Sequence, residues 1–202
     1  MQQLSSPAQL AQLTLQARQQ LTGQRPLLLA IDGRSGAGKT SLAGQLADLL
    51  RAEAIPIAVF HLEDLYQGWD SLASAARTWQ ALAQAIVQGQ AHLGPQLPHW
   101  YGWDWANSRP TGPHSFTAAQ QAAAGVLIAE GVGALPGPSD LSVWVELDDS
   151  LRKQRALARD GETYRPYWDI WAAQEEDLLA SYQPLYAQAH YRYSQASPGQ
   201  TD

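Results

Sequence analysis

The chain has 202 residues, of which 45% are hydrophobic and 16% are charged, and its formal net charge is −6. These values are typical of a single globular domain, and the negative charge argues against a general nucleic-acid-binding protein, whose affinity requires many Lys and Arg side chains. The sequence contains no cysteine, which excludes disulfides, thiolate nucleophiles and cysteine-based zinc sites.

The N-terminal residues show no basic segment followed by an apolar run, and no apolar stretch approaches the roughly 20 residues of a membrane span. We therefore expect a cytoplasmic protein with no membrane partner and no nucleic-acid partner. A homo-oligomer is compatible with the sequence.

The first half of the chain alternates helical and strand patterns. Ser5-Ser6-Pro7 is a helix start signal, and apolar residues then recur at helical spacing over 8–21. The same criteria predict strands at 26–31 and 55–60 and helices at 40–54 and 71–88. The segment of about 94–115 is rich in Pro, Gly and Trp, and we expect it to be a long irregular connection on the acceptor side.

The second half continues this alternation. We predict strands at 125–131, 141–147 and 190–194, helices at 149–160 and from 168 to about 187, a loop at 161–166 and a frayed tail at 197–202. Strands separated by helices imply right-handed crossovers and a parallel sheet covered on both faces. The expectation is therefore one α/β domain over residues 1–202, with about five strands and an N-terminal helix within 1–24.

A glycine-rich loop lies between the first predicted buried strand and the following helix. Gly33, Gly38, Lys39 and Thr40 have the spacing of the P-loop, in which backbone N–H groups surround phosphate oxygens. Lys39 supplies a charge for the terminal phosphates, and Thr40 offers a hydroxyl to Mg²⁺. The predicted nucleotide-binding residues are Gly33, Arg34, Ser35, Gly36, Ala37, Gly38, Lys39, Thr40 and Ser41.

The segment from Ile31 to Thr40 resembles the opening of the uridine kinase group of P-loop kinases, to which phosphoribulokinase and pantothenate kinase are related. The resemblance continues in order over roughly residues 26 to 180. It implies a three-layer P-loop NTPase fold, a helical arginine lid at about 150–168, and phosphorylation of a small-molecule hydroxyl with ATP and Mg²⁺.

Acidic residues follow the second predicted strand, in His61-Leu62-Glu63-Asp64-Leu65-Tyr66. This segment is similar to the family's Asp-Ser-Phe-Tyr or Asp-Asp-Phe-Tyr, whose aspartate takes the proton from the acceptor hydroxyl. Aligned on Tyr66, that aspartate falls on Glu63 rather than Asp64, so both carboxylates are candidates for the base. The alternative is a solvated acidic strand end.

Glu130 ends the third predicted strand, which resembles the Walker B-like strand of the same group. With Thr40 it forms the predicted Mg²⁺ site, since a carboxylate beside the P-loop can hold the ion directly or through water. The alternative is an acid that caps the strand end.

Arg152, Arg155 and Arg159 are three and four residues apart and share one helix face. This segment is similar to the family's lid, whose guanidinium groups stabilise the transferring phosphate. The alternative is a surface helix paired with Glu162, Glu175 or Glu176. The predicted catalytic residues are Lys39, Glu63, Asp64, Arg155 and Arg159.

An aromatic cluster at Trp100-Tyr101-Gly102-Trp103-Asp104-Trp105 resembles a Tyr-x-Asp-Trp segment of bacterial uridine kinase-like proteins. Its rings could stack a base while polar groups bind a sugar, or they could pin a long connection to the core. The predicted substrate-binding residues are Tyr66, Trp69, Trp103, Asp104 and Arg109. The five histidines, His61, His92, His99, His114 and His190, lack the spacing of a metal site.

These features predict a kinase whose acceptor is a nucleoside such as uridine or cytidine. Another acceptor remains an alternative: a sugar, a vitamin precursor or a nucleoside monophosphate. A further alternative is a regulatory P-loop ATPase that acts through a protein partner. Against it, the sequence has no Asn-Lys-x-Asp guanine-reading segment.

Overall fold

The structure, a computed structural model, describes residues 1–89, 99–122 and 125–194. The strands are β1 (Gln2–Leu4), β2 (Leu27–Asp32), β3 (Ile57–His61), β4 (Trp100–Asp104), β5 (Arg109–His114), β6 (Val126–Glu130), β7 (Leu141–Glu146) and β8 (Tyr191–Ser194). The helices are α1 (Pro7–Gln20), α2 (Lys39–Ala52), α3 (Leu72–Val87), α4 (Asp149–Tyr164), α5 (Trp168–Ser181) and α6 (Gln183–Ala187). Short 3₁₀ turns occupy Leu62–Leu65 and Arg165–Tyr167.

Six strands form one parallel sheet in the order β1-β8-β7-β2-β6-β3. Ile31 is paired with Glu130, and Glu130 is paired with His61. The carboxyl ends of β2, β6 and β3 therefore lie side by side, which is where ligands bind in open parallel sheets. The predicted parallel α/β sheet is confirmed, and β1 raises the strand number from about five to six.

The sheet separates two hydrophobic cores. In β2, Leu28 and Ala30 face the core formed with α3 and α5, whereas Leu27, Leu29 and Ile31 face the core formed with α1 and α2. Successive side chains of a strand alternate between faces, so a continuous apolar run is required when both faces are covered. The result is three layers, helix on sheet on helix.

The structure corrects two of the predicted segments. The connection of about 94–115 is not irregular throughout, because β4 and β5 pair as an antiparallel hairpin within it. The predicted loop at 161–166 is largely helical, since α4 continues to Tyr164 through a non-helical Gly161, with φ 59° and ψ −139°. Residues 94–98 of the first segment and the predicted tail at 197–202 lie outside the described residues.

Within the residues that the structure describes, no helix has both the length and the apolar character needed to cross a membrane.

Candidate active site

The P-loop occupies residues 33–38 between β2 and α2. Gly38 precedes α2 with φ 98°, and in the described chain no side chain caps the first turn of this helix. The first N–H groups of a helix have no partner within the helix, and together with the helix dipole they attract an anion. This end of α2 therefore has the local structure of a phosphate site.

Close packing against α4 restricts the P-loop to its observed path. Gly36 has φ +80°, and a Cβ at this position would lie 2.2 Å from the carbonyl oxygen of Arg152. Only glycine fits such a contact, because an added methyl group would displace the α4 backbone or the loop. The loop and the first turn of α4 thus support each other.

Lys39 extends back across the P-loop. It is only 9% exposed, and its Nζ donates a hydrogen bond to the carbonyl oxygen of Arg34 at 3.2 Å. The Arg34 side chain points away from the loop toward α5, where its Nε donates to Glu175 at 3.0 Å. Arg34 therefore pairs with α5. The predicted nucleotide-binding residues that line the cavity described below are Ser35, Gly36, Gly38, Lys39, Thr40 and Ser41.

Asp32, which was not among the predicted site residues, lies fully buried beneath the P-loop. Its carboxylate accepts hydrogen bonds from the backbone N–H groups of Gly33 at 2.7 Å, Gly133 at 3.1 Å and Leu135 at 2.9 Å. Burial raises the pKa of Asp32 to about 6, although these N–H groups and the charge of Lys39 oppose the increase. Asp32 thereby ties the P-loop to the segment after β6.

Thr40 and Glu130 meet at the end of β6. The Thr40 hydroxyl donates a hydrogen bond to Glu130 Oε1 at 3.0 Å, and His61 Nδ1 lies 2.6 Å from the same oxygen. A hydroxyl and a carboxylate beside a phosphate cradle are ligands that suit Mg²⁺. Among the described residues there is no group of three or more His, Asp or Glu side chains arranged to hold a metal ion, and His92 lies outside them.

The three arginines of α4 have different surroundings. Arg152 is 3% exposed and bonds to Asp149 and to the carbonyl oxygen of Ser35, at 2.7 and 3.0 Å. Arg155 and Arg159 line the cavity with the P-loop. Arg159 also forms two hydrogen bonds to Asp160, at 2.8 and 2.7 Å, which raise its pKa.

A cavity of about 980 Å³ lies between the P-loop and α4, the helix that covers most of the predicted lid. Glu63 lines this cavity, whereas Asp64 is not among its lining residues within the described chain. The Asp64 carbonyl instead lies beside Gly102 of the β4–β5 hairpin. Partial burial raises the pKa of Asp64, and the neighbouring His61 and His114 oppose this increase.

Aromatic rings form the far wall of the cavity. We call residues 66–71, which connect the 3₁₀ turn after β3 to α3, the acceptor loop. Trp69 of this loop stacks on Tyr167 with a centroid distance of 4.3 Å and an angle of 7°, and Trp105 lies 4.8 Å away. The cavity is lined by Tyr66, Trp69, Trp105, Tyr164 and Trp171.

The other predicted substrate-binding residues lie on the hairpin, outside the lining of this cavity as the described residues form it. Asp104 accepts hydrogen bonds from Asn107, at 3.1 Å from its backbone N–H and 2.8 Å from its amide, and pairs with Arg109 at 3.5 Å. These contacts close the hairpin turn. The structure therefore brings Trp105 to the cavity, and places Trp103, Asp104 and Arg109 beside it.

Solved structures of the same architecture cover almost the entire chain. One, provisionally identified as a fructose transport system kinase from Silicibacter sp. TM1040, aligns with 96% of this chain and 100% of its own, at 18% identity and a TM-score of 0.56. Another, provisionally identified as a uridine kinase from Bacillus stearothermophilus, aligns with 93% of this chain and 96% of its own, at 21% identity and a TM-score of 0.55. This chain has the P-loop kinase fold. No protein-family model matches the sequence, and no curated protein matches it.

At such identities the likeness concerns the fold, and at that level it confirms the resemblance to the uridine kinase group. The P-loop kinase fold places Lys39, Glu63, Arg155 and Arg159 around one cavity. Sequence reasoning missed the cavity residue Trp105, although it adjoins the predicted pair Trp103 and Asp104. It also missed the buried Asp32 and Glu175 as site residues. For Asp32 the available signal is a charged residue directly after an apolar run, whereas Glu175 stands among the polar residues Gln174, Glu176 and Asp177 and has no such signal.

Proposed function

We propose that this protein transfers the γ-phosphoryl group of ATP to a hydroxyl of a small molecule. The observation that carries the proposal is that one cavity contains an uncapped helix N-terminus with Lys39, a carboxylate at Glu63 and the guanidinium groups of Arg155 and Arg159. Phosphoryl transfer depends mainly on positioning and on charge stabilisation, and these groups supply both.

Each group has a defined role in the proposed reaction. Lys39 and the N–H groups at the start of α2 bind the terminal phosphates, while Arg155 and Arg159 neutralise the charge of the transferring group. Thr40 and Glu130 would hold Mg²⁺, which would neutralise phosphate charge when bound. The lid over these groups excludes water, since an open site would hydrolyse ATP.

Glu63 is the proposed base. It lines the cavity, and its charge acts on Arg159, whose pKa it helps to raise. A carboxylate there can accept the proton of the acceptor hydroxyl as its oxygen attacks the γ-phosphate. Asp64 lies next to the hairpin and not along the cavity wall that the described residues form. The assignment therefore follows the alignment on Tyr66, with glutamate in the place of the family's aspartate.

The proposed acceptor is a nucleoside such as uridine or cytidine. The names of the two structural neighbours suggest a nucleoside or a sugar. The aromatic wall of Tyr66, Trp69, Trp105 and Trp171 favours the nucleoside, because flat apolar rings offer a stacking surface for a pyrimidine base. Sugars, vitamin precursors and nucleoside monophosphates are the competing acceptors.

ADP release tests the proposal directly. The assay presents ATP and Mg²⁺ with uridine, cytidine, fructose, pantothenate or uridine monophosphate. We expect stimulation by a pyrimidine nucleoside, a loss of about 100-fold or more in kcat for Glu63→Gln, and a change below about threefold for Asp64→Asn. Comparing Glu63→Gln with Asp64→Asn identifies the base, because each variant removes one negative charge and the two positions are adjacent.

Two results would overturn this function. Stimulation by no small molecule, together with stimulation by a protein, would identify a regulatory ATPase instead. If Lys39→Ala binds ATP as tightly as the wild-type protein, the assignment of the P-loop as the phosphate site is wrong.

A further inference from the structure

Helix α5 carries polar side chains that contact both halves of the candidate active site. Trp171, Gln174 and Glu175 are spaced i, i+3 and i+4, so they share one face of the helix. Their hydrogen bonds reach the P-loop on one side and the acceptor loop on the other. Helix α5 therefore forms hydrogen bonds to both the P-loop and the acceptor loop.

The P-loop contacts centre on a buried carboxylate. Glu175 is 1% exposed, and its Oε1 accepts the backbone N–H of Ser35 at 2.8 Å, while its Oε2 accepts Nε of Arg34 at 3.0 Å. Trp171 Nε1 donates to the Ser35 hydroxyl at 3.1 Å. Arg152 adds a second cation 3.6 Å from the same carboxylate. A buried charge is tolerated when it is paired and hydrogen-bonded in this way.

The acceptor-loop contacts come from Gln174. Its Nε2 donates to the carbonyl oxygen of Trp69 at 2.6 Å, and its Oε1 accepts the N–H of Leu72 at 3.3 Å. The amide thus clasps the loop immediately before α3. The Trp171 ring adds edge contacts to Tyr66 at 5.0 Å and to Trp69 at 6.2 Å, so the loop is held through both its backbone and its rings.

We propose that α5 sets the spacing between the phosphate cradle and the acceptor loop, with Glu175 and Gln174 as positioning residues. The inference rests on the proposed function, because it assigns the two contacted segments to ATP and to the acceptor. Reactivity depends steeply on the approach of the reacting atoms, and a shift of about 1 Å costs up to about 100-fold in rate. A helix bonded to both segments limits such shifts.

The P-loop half of the inference is tested by nucleotide binding. Isothermal titration with ADP and with tripolyphosphate compares Glu175→Gln with Glu176→Gln, whose side chain is 70% exposed and 3.4 Å from Arg34. We expect about a tenfold weaker Kd for both ligands in Glu175→Gln, because a charge-assisted hydrogen bond is lost, and less than a twofold change in Glu176→Gln. Equal affinities in the two variants would overturn the role of Glu175.

The acceptor half is tested by hydrogen exchange of residues 67–72 with and without a non-hydrolysable ATP analogue. In the wild-type protein we expect the analogue to slow exchange there by about fivefold. Gln174→Ala should abolish that change and keep the analogue Kd within twofold. The control is Gln80→Ala, which removes a hydrogen bond to the carbonyl oxygen of Pro136 and another from the hydroxyl of Tyr182 at the end of α5. Neither of these two bonds involves residues 67–72.

The outcomes separate the inference from the proposed function. If the wild-type protein binds no nucleotide, the proposed function fails. If it binds the analogue but residues 67–72 show no slowing, or if Gln174→Ala keeps the full slowing, the coupling through α5 is refuted. Once an acceptor is known, Gln174→Ala should lower kcat by about tenfold, with the Kd for nucleotide unchanged.

Discussion

Replacing Asp32 with asparagine should change how the stability of this protein depends on pH. Asp32 is fully buried and accepts three backbone hydrogen bonds, yet burial still raises its pKa from 3.8 to about 6. Desolvation of the charge therefore outweighs the hydrogen bonds and the attraction of Lys39. Asparagine has nearly the same shape but cannot titrate.

The sign and size of this pH dependence follow from the difference between the folded-state and unfolded-state pKa of Asp32. Because the folded-state pKa of Asp32 lies above the unfolded value, the native protein binds the proton more tightly, and this stabilisation is complete below about pH 4. It is lost as pH rises through about 6. A difference of about two pKa units corresponds to about 3 kcal/mol in total, of which about 2 kcal/mol falls between about pH 4.5 and pH 7.5.

Urea unfolding of wild-type and Asp32→Asn proteins at several pH values in that range measures the effect. The wild-type advantage in the free energy of unfolding should fall by about 2 kcal/mol from the acidic to the neutral end. A constant offset between the proteins is expected, because the asparagine NH₂ cannot accept a backbone hydrogen bond. Asp169→Asn is the matched control, since the Asp169 side chain is 92% exposed. A flat difference, or one that grows with pH, would refute the reasoning.

Three further predictions concern the loop, the acceptor wall and the metal site. Gly36→Ala should abolish nucleotide binding measured by calorimetry, because its Cβ would clash with the carbonyl oxygen of Arg152. At Gly161, with φ +59°, an added Cβ would lie within 4 Å of no other described atom beyond its chain neighbours, so Gly161→Ala should cost only backbone strain of about 1–3 kcal/mol in thermal unfolding. Trp69→Ala should raise the acceptor KM by about tenfold or more, and Trp103→Ala by less than threefold; equal effects would contradict the placement of the rings. Glu130→Gln should raise the Mg²⁺ concentration for half-maximal ADP release by about tenfold, and an unchanged Mg²⁺ titration would exclude the carboxylate as a ligand.

The sequence was sufficient for the elements whose signals are local. The apolar run of β2 followed by the P-loop spacing predicted a strand, a phosphate loop and a helix, and the structure has all three. β1 was missed because three residues carry no periodic signal, and its place depends on pairing with β8 at the other end of the chain. The hairpin was missed because Gly and Pro interrupt the alternation of β4 and β5, whose pairing comes from cross-strand contacts.

The arginine segment illustrates how helical spacing identifies a face but not the neighbours of that face. Arg152 and Arg159 were predicted to share a side of α4, yet Arg152 is buried against Asp149 and Ser35 while Arg159 lines the cavity. The alternative was a surface helix with ion pairs, and Arg152 does lie 3.6 Å from Glu175, but it is buried rather than on the surface. The partner helix α5 follows α4 in the chain, and nothing in the spacing of the arginines indicates where it packs.

For Glu63 and Asp64, too, local spacing indicates which side of the turn they occupy but not what they contact. In the 3₁₀ turn, Leu62 and Leu65 are three residues apart, so they project on the same side and are buried. The two acids between them must then diverge from that buried side, and one faces the cavity while the other lies by the hairpin. The leucine spacing predicts that the acids are exposed, but the surroundings of each acid are set by segments distant in the chain, the cavity walls for Glu63 and the β4–β5 hairpin for Asp64. The base assignment to Glu63 therefore depends on tertiary structure, and an equal fall in kcat for Glu63→Gln and Asp64→Asn would contradict it.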